Sequence, residues 1–225
     1  RFTPMSGQDQ TGPIPYDPQE PVASQVLSSF HQSLMNLHPA ETAPSSSSEP
    51  YIDSYLLHSP LNSLEATLEA WRVLEGLVDR GLVRRIGLSN VYDPQIFKAL
   101  FSAARIKPSI LQNRWHFSTG HDREEGEEEE ARGITYQPFW SLTGNPRLLV
   151  SPPVQDIAVR RKLTSAQVVY GFIKQGMGIP GLEAAVLCGT TDETHMREAV
   201  EVASRAEGTW EEAELEMVRK EVYGE

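Results

Sequence analysis

Polar and aromatic side chains follow five short apolar segments of the sequence, and residues of these types could hold and react with a flat polar ligand. An imidazole can transfer or orient a proton, the side chains of Ser, Asn and Gln can hydrogen-bond an amide, and aromatic rings can stack on a planar ring. The residues that follow the segments are His58, Ser89, Asn90, Gln112, Asn113, Phe139, Trp140, Cys188, Gly189, Thr190 and Thr191.

Taken one at a time, these residues also have ordinary structural interpretations. A histidine after a strand is more often a satisfied structural group than a catalyst. The pair Ser89-Asn90 is typical of a turn or a helix N-cap, and Phe139-Trp140 is typical of packing. Gly189-Thr190 precedes a helix, where it could bind an anion, but helix capping explains the pair equally well. No single residue therefore defines a function.

Cysteine and acidic residues do not predict a reactive thiol or a metal centre. Cys188 is the only cysteine and has no base near it in the sequence, so we do not expect a nucleophile, a disulfide or a cysteine-based zinc site. The segment 123–132 is a Glu-rich helix or loop, and its six Glu residues have mixed spacing that fixes no coordination geometry. We predict no metal site.

The elements that would position the strand-end residues alternate along the chain. Alternation of short apolar strands with helices of about ten to twenty residues favours an α/β protein with a parallel sheet, but it does not separate an open sheet from a closed (β/α) barrel. No glycine-rich dinucleotide fingerprint, phosphate-binding loop or nucleophile elbow occurs. The predicted strands are 51–57, 83–88, 109–112, 134–138 and 185–188. The predicted helices are 22–37, 64–78, 93–104, 152–162, 165–175, 192–205 and 209–222.

Composition and charge narrow the class of protein. The 225 residues carry a formal net charge of −11, which argues against nucleic acid and membrane surfaces as partners. No apolar run approaches the ~18 residues that span a bilayer, and no signal peptide opens the chain. We expect a cytoplasmic protein from a reducing compartment. The segment 38–50 is a Ser/Pro-rich surface insertion.

Ordered blocks of sequence resemble the aldo-keto reductase family, and in detail its fungal-type branch. The blocks are Tyr51-Ile-Asp-Ser-Tyr-Leu-Leu-His58-Ser-Pro60, Ala70-Trp71-Arg-Val-Leu-Glu75, Gly81-Leu-Val-Arg-Arg-Ile-Gly87-Leu-Ser89-Asn90, Lys107-Pro-Ser-Ile-Leu-Gln112, Gly133-Ile-Thr-Tyr-Gln-Pro-Phe-Trp140 and Val186-Leu-Cys-Gly-Thr-Thr191. The resemblance covers most of residues 51–200. It implies that residues 1–225 are one partial domain, an incomplete (β/α)8 TIM barrel with about the last five β/α units and without the first strands.

The resemblance also implies an activity, a cofactor and residue roles. Family members reduce an aldehyde or ketone to an alcohol with hydride from a nicotinamide, usually that of NADP, with NAD not excluded. The partner is then a small carbonyl substrate. His58 matches the catalytic histidine that orients the carbonyl. Ser89, Asn90 and Gln112 match residues that bind the nicotinamide carboxamide, Phe139 matches a ring that stacks on the nicotinamide, and Gly189 and Thr190 lie in the segment that holds the adenosine phosphate.

The chain departs from the family pattern at several positions. The family's catalytic Asp and Tyr precede the matched segment, and Arg1 aligns with its catalytic Lys, whose role a guanidinium does not simply take over. Gly189 and His195 stand where basic residues are common. We therefore expect a truncated chain with little reductase activity by itself. Two alternatives stay open: an inactive reductase with a residual nicotinamide site, and an oligomeric scaffold that pairs through exposed sheet edges.

Overall fold

The computed structural model describes residues 1–39, 49–122, 133–179, 181–204 and 210–224. The chain folds as two compact units, Arg1–Leu111 and Gln112–Glu225. Most of the Ser/Pro-rich insertion predicted at 38–50 and all of the Glu-rich segment 123–132 lie outside the described residues, so those two predictions stay predictions. The single domain predicted for residues 1–225 also stays a prediction.

Helices and parallel strands alternate along the described residues. Strand order in the sheet follows the order in the chain, β1-β2-β3-β4-β5. The strands are β1 Ile52–Leu57, β2 Val83–Ser89, β3 Ile110–Gln112, β4 Thr135–Tyr136 and β5 Glu183–Ala184. The helices are α1 Val22–Leu37, α2 Leu64–Asp79, α3 Pro94–Ala103, α4 Pro146–Leu149, α5 Pro152–Arg161, α6 Ser165–Lys174, α7 Glu193–Ser204 and α8 Glu212–Tyr223. These elements confirm the predicted α/β class with a parallel sheet.

The first unit is built on the parallel pair β1–β2. Its register pairs Ile52 with Val83 and Leu57 with Leu88, so both strands end at the same edge. This register places His58 and Ser89 next to each other at that edge. The buried side of the unit consists of large apolar side chains, among them Phe30, Tyr55, Trp71, Leu74, Ile86 and Leu88.

Helix α2 carries a buried carboxylate that fixes the loop before β3. The Ser63 side chain caps the helix by accepting a hydrogen bond from the Ala66 amide. Glu75 is buried, and its Oε1 accepts hydrogen bonds from the backbone amides of Arg105 (2.7 Å) and Ile106 (2.9 Å). A buried carboxylate needs such donors, because an unpaired charge inside a protein is costly. This contact determines where the chain enters β3.

The second unit is built around α6, which is apolar on several sides. Thr164 and Gln167 form a capping box at its start, and the buried residues of the helix include Val168, Phe172 and Ile173. Buried Glu214 of α8 receives a forked pair of hydrogen bonds from Arg161 of α5, with Nε at 2.9 Å from Oε1. The Arg161 guanidinium lowers the pKa of the Glu214 carboxyl, so this ion pair persists at neutral pH.

The predicted last strand was wrong in position. Residues 185–188 were expected to form it, but β5 is Glu183–Ala184, and Leu187–Thr190 have no regular structure. The hydrogen bond from the Ala185 amide to the Tyr136 carbonyl (2.9 Å) ends the pairing with β4. Gly189 and Thr190 therefore lie on a loop between β5 and α7, not directly after a strand.

Candidate active site

The end of β1 places His58 beside a short extended segment at the start of the first unit. Phe2 forms a parallel bridge with Leu57, and the His58 amide donates to the Phe2 carbonyl at 2.8 Å. Thr3 follows Phe2, and its Oγ1 lies 3.0 Å from Nδ1 of the His58 ring. The backbone pairing thus aligns one hydroxyl with one ring nitrogen of the histidine.

Thr3 is itself held by its neighbours. Its carbonyl oxygen accepts hydrogen bonds from the Tyr16 hydroxyl (2.7 Å) and from Nε2 of Gln8 (2.8 Å). The Tyr16 ring also packs on Phe2, with ring centres 5.4 Å apart. A ligand-orienting side chain works best when its support is fixed in this way. The segment before β1 therefore controls the orientation of the His58 ring.

The end of β2 contributes Ser89 and Asn90. Ser89 is buried, and Asn90 has a positive φ of 53°, a conformation that Asn tolerates better than most residues. Nδ2 of Asn90 donates to the His58 carbonyl at 2.8 Å and to the Ser89 hydroxyl at 3.2 Å, while Oδ1 accepts from the Tyr92 hydroxyl at 3.0 Å. The structure thus brings His58, Ser89 and Asn90 together at one edge.

The local environment keeps the His58 ring neutral. Burial lowers the pKa of His58 below its ordinary value of 6.5, and the positive charge of Arg1 acts in the same direction. A neutral imidazole has one N–H donor, and the hydrogen bond to Thr3 selects which nitrogen carries it. The ring can then donate one directed hydrogen bond to an oxygen.

We expect nuclear magnetic resonance titration of the His58 ring to give a midpoint below 6.5 in the folded protein. In urea the midpoint should return to ~6.5. Because the unfolded chain then takes up its proton at a higher pH than the folded chain, the free energy of unfolding falls as pH drops through about 6.5.

The substitution Thr3→Val tests the contact with Nδ1, since valine keeps the shape and removes the hydroxyl. It should change the ring nitrogen shifts of His58, whereas Thr3→Ser should preserve them. Identical shifts in wild type and Thr3→Val would show that Thr3 does not set the tautomer.

In the second unit, Gln112 and Phe139 lie on neighbouring strand ends. Nε2 of Gln112 donates to Oε1 of Gln137 at 3.0 Å. Beyond β3 and β4 the pairing continues: the Phe139 amide donates to the Asn113 carbonyl, and the Trp115 amide donates to the Phe139 carbonyl, both at 2.9 Å. Trp140 then adopts a φ of 62° and leaves 52% of its surface exposed. The backbone pairing thus places Phe139 beside Asn113 and Trp115, with the exposed Trp140 next in the chain.

A cavity of about 630 Å³ lies in the second unit. This volume is in the range of small-molecule sites. Aromatic and small side chains form most of its wall, with a few polar groups. The lining residues include Phe139, Trp140, Gly189, Thr190, His195 and Glu198. The cavity therefore brings three residues predicted from sequence, Phe139, Gly189 and Thr190, to one place.

Two cavity residues, Tyr170 and Glu198, could not be found by sequence reasoning. Tyr170 lies on α6, and burial followed by the neighbouring Cys188 thiol raises the pKa of its hydroxyl. Glu198 lies on α7, and its Oε2 accepts a hydrogen bond from the Thr164 hydroxyl at 3.1 Å. Both sit inside ordinary amphipathic helices, so their sequence pattern resembles that of packing residues. Thr3 was also missed, because it lies in a segment whose sequence is typical of a loop.

Membrane-spanning helices and metal clusters are both absent from the described ranges. Within residues 1–39, 49–122, 133–179, 181–204 and 210–224, no helix combines the length and the apolar character that crossing a membrane requires. The same ranges contain no cluster of three or more His, Cys, Asp or Glu side chains suited to a metal ion.

Comparisons with known proteins all find similarity to aldo/keto reductases. Residues 47–131 match the model of the aldo/keto reductase family. The probable NAD(P)H-dependent D-xylose reductase xyl1 of Emericella nidulans is 34% identical over 119 residues, which cover 48% of this chain and 37% of that protein. The match thus spans less than half of the length of this curated relative.

Solved structures show the same fold. The aldo/keto reductase of Brucella melitensis has a TM-score of 0.67 at 21% identity, covering 87% of this chain and 67% of that one. A mutant of Gox0644 solved in complex with NADPH also has a TM-score of 0.67, at 22% identity, covering 87% of this chain and 64% of that one. With the parallel β/α order, these matches identify the fold as part of an aldo/keto reductase barrel.

The family match, the relatives and the fold agree: residues 47–131 are similar to the aldo/keto reductase family, and the chain shares the fold of its solved members. The predicted roles of His58, Ser89, Asn90, Gln112, Phe139, Gly189 and Thr190 stay predictions, and so does the fungal-type branch.

Proposed function

We propose that this protein reduces the carbonyl group of a small aldehyde or ketone to an alcohol with NAD(P)H. The observation that carries the proposal is the geometry of His58, a neutral histidine at a strand end whose Nδ1 meets the Thr3 hydroxyl at 3.0 Å. The family match supports the reaction class. The Emericella relative is named for NAD(P)H-dependent reduction, and the Gox0644 structure contains NADPH.

The residues of this chain fit a nicotinamide dinucleotide. The cavity of the second unit offers three aromatic side chains, those of Phe139, Trp140 and Tyr170, and a Cβ built on Gly189 would meet no atom within 4 Å, so the loop is open there. We assign Phe139, Gly189 and Thr190 to the dinucleotide in this cavity. The bound dinucleotide would supply the hydride.

His58 orients and polarises the carbonyl in this proposal. If the Thr3 hydroxyl donates to Nδ1, the hydrogen of the neutral ring lies on Nε2, and that N–H can donate to the carbonyl oxygen. Such a hydrogen bond strengthens as the oxygen gains negative charge, so it favours the transition state over the ground state. The proposal gives His58 this role and no proton donation.

Neither the inactive reductase nor the oligomeric scaffold is supported by an observation, and the comparisons favour an enzyme. The cytoplasmic location and the preference for NADP stay predictions. The proposed substrate class is a small carbonyl compound.

Two measurements test the function. Titration of NADH and NADPH should quench the fluorescence of the protein, because Trp140 lines the cavity. The longest natural form that contains these 225 residues should oxidise at least one of the two dinucleotides only when an aldehyde or ketone is present. Absence of binding of both dinucleotides would contradict the proposal, and so would binding of both without carbonyl-dependent oxidation.

A further inference from the structure

We infer that the cavity of the second unit selects the dinucleotide without the adenosine ribose phosphate, so that the protein binds NADH more tightly than NADPH. The inference rests on the proposed function and deepens it, since it assumes that the adenosine end lies against the loop of Gly189 and Thr190. It reverses the preference for NADP that the family resemblance implies. The inference is based on the charged side chains at and near the cavity.

Among the described residues, the cavity wall has a carboxylate and lacks a lysine or arginine. Glu198 of α7 contributes the carboxylate. The hydroxyl of Thr164 donates to Oε2 of Glu198, a neutral donor that leaves the negative charge in place. A ribose phosphate brought to this wall would meet a like charge. A ribose hydroxyl, in contrast, could donate a hydrogen bond to the carboxylate.

The first turn of α7 adds further negative charge. Asp192 precedes the helix, and its Oδ1 accepts from the His195 amide at 3.0 Å, a bond that lowers the pKa of the Asp192 carboxyl. Asp192 is therefore ionised at neutral pH. His195 lines the cavity, but its Nδ1 lies 4.0 Å from Oδ1 of Asp192, so any charge on the ring already faces a carboxylate.

Two arginines, Arg197 and Arg114, lie near cavity residues but do not line the cavity. Arg197 of α7 pairs with Glu193, with Nη2 2.5 Å from Oε1. Arg114 places its guanidinium carbon 4.4 Å from the centre of the Trp140 ring and 5.9 Å from that of Phe139. Both rings line the cavity, but Arg114 itself does not. These contacts stack a cation against the aromatic wall rather than at the Gly189 loop.

A phosphate group is best compensated by cations, and the described lining residues include no lysine or arginine. Binding sites for phosphate gain affinity from charge-assisted hydrogen bonds with Lys, Arg or backbone amides, because the anion loses water on binding. The amide of Asp192 already donates to the Thr190 hydroxyl at 3.1 Å. The cost of placing the phosphate here falls on NADPH alone, so the difference in affinity favours NADH.

Gly189 is the position at which a cation can be introduced. It is exposed, its φ is not in the left-handed region, and a Cβ there would meet nothing within 4 Å. A lysine at this position therefore fits without displacing the backbone. The matched control is glutamine, which is long and polar but carries no charge.

Isothermal titration calorimetry of the 225-residue chain with NADH and with NADPH tests the inference. We expect the Kd of NADPH to exceed that of NADH by about tenfold, the size of one charge-assisted hydrogen bond. Gly189→Lys should lower the Kd of NADPH by about tenfold and leave that of NADH within about twofold. Gly189→Gln should change neither, and Glu198→Gln should reduce the discrimination.

Each outcome decides between the claims. NADPH binding as tightly as NADH in the wild type would overturn the inference and leave the proposed function standing. An unchanged Kd of NADPH in Gly189→Lys would likewise overturn the inference, because the phosphate then lies elsewhere. If neither dinucleotide binds, the proposed function fails, and the inference fails with it.

Discussion

Replacing His58 by alanine should lower kcat/KM for carbonyl reduction by about 100-fold, the effect of losing a preorganised hydrogen bond to a developing oxyanion. His58 directly follows β1, and its ring is held by the contact between Nδ1 and the Thr3 hydroxyl at 3.0 Å. Because this hydrogen bond strengthens in the transition state, the loss should appear mainly in kcat. Steady-state kinetics of wild type and His58→Ala, in the longest natural form of the protein, measure this loss of kcat/KM.

The variant His31→Ala controls for the loss of an imidazole elsewhere. His31 is an exposed residue of α1, so its replacement should leave kcat/KM unchanged. The Kd values of NADH and NADPH should also be unchanged in His58→Ala, since His58 is assigned to the carbonyl and not to the dinucleotide. Wild-type kcat/KM in His58→Ala would show that another group orients the substrate.

Most element boundaries could be predicted because several independent signals coincide at them. Helix α2 begins after the capping residue Ser63 and ends before Gly81, whose φ is 70°. Its apolar residues also recur with helical spacing, so propensity, capping and periodicity agree. Strand β5 carried a weaker signal. The segment Ala185–Cys188 has the apolar composition of a buried strand, but pairing with β4 stops near Ala184. Only tertiary contacts determine where this pairing stops.

The site was predictable where it follows strand ends and unpredictable where it depends on helices or on distant backbone. Because β1 and β2 are parallel and in register, His58 and Ser89 had to share an edge once both strands were identified. The partner of the His58 ring was not predictable. Thr3 reaches it through a bridge between Phe2 and Leu57, residues far apart in the chain, and no local pattern encodes such a pairing. Glu198 was hidden because it lies in an amphipathic helix, where its sequence pattern resembles that of packing residues.

The substitution Gly87→Ala should lower the free energy of unfolding by about 2–4 kcal/mol, the range of severe overpacking. Gly87 is a buried residue of β2 that faces the start of β3. A Cβ there would lie 2.5 Å from the Ile110 carbonyl oxygen and 2.7 Å from the Ile110 Cβ. Both atoms belong to a strand that cannot move without breaking the hydrogen bond from the Ser109 amide to the Ile86 carbonyl, 3.0 Å long. Urea unfolding followed by circular dichroism measures the change.

The matched control is Gly76→Ala in the middle of α2, where a Cβ would meet no atom within 4 Å. Alanine there should raise the free energy of unfolding by about 0.5–1 kcal/mol, because glycine loses more backbone freedom in a helix. The same chemical change should thus have opposite signs at the two glycines, because Gly87 lies in a tightly packed strand and Gly76 lies in a helix with open space at its Cβ position. Equal stability of the two variants would mean that β2 and β3 do not approach as closely as the 2.5 Å separation requires.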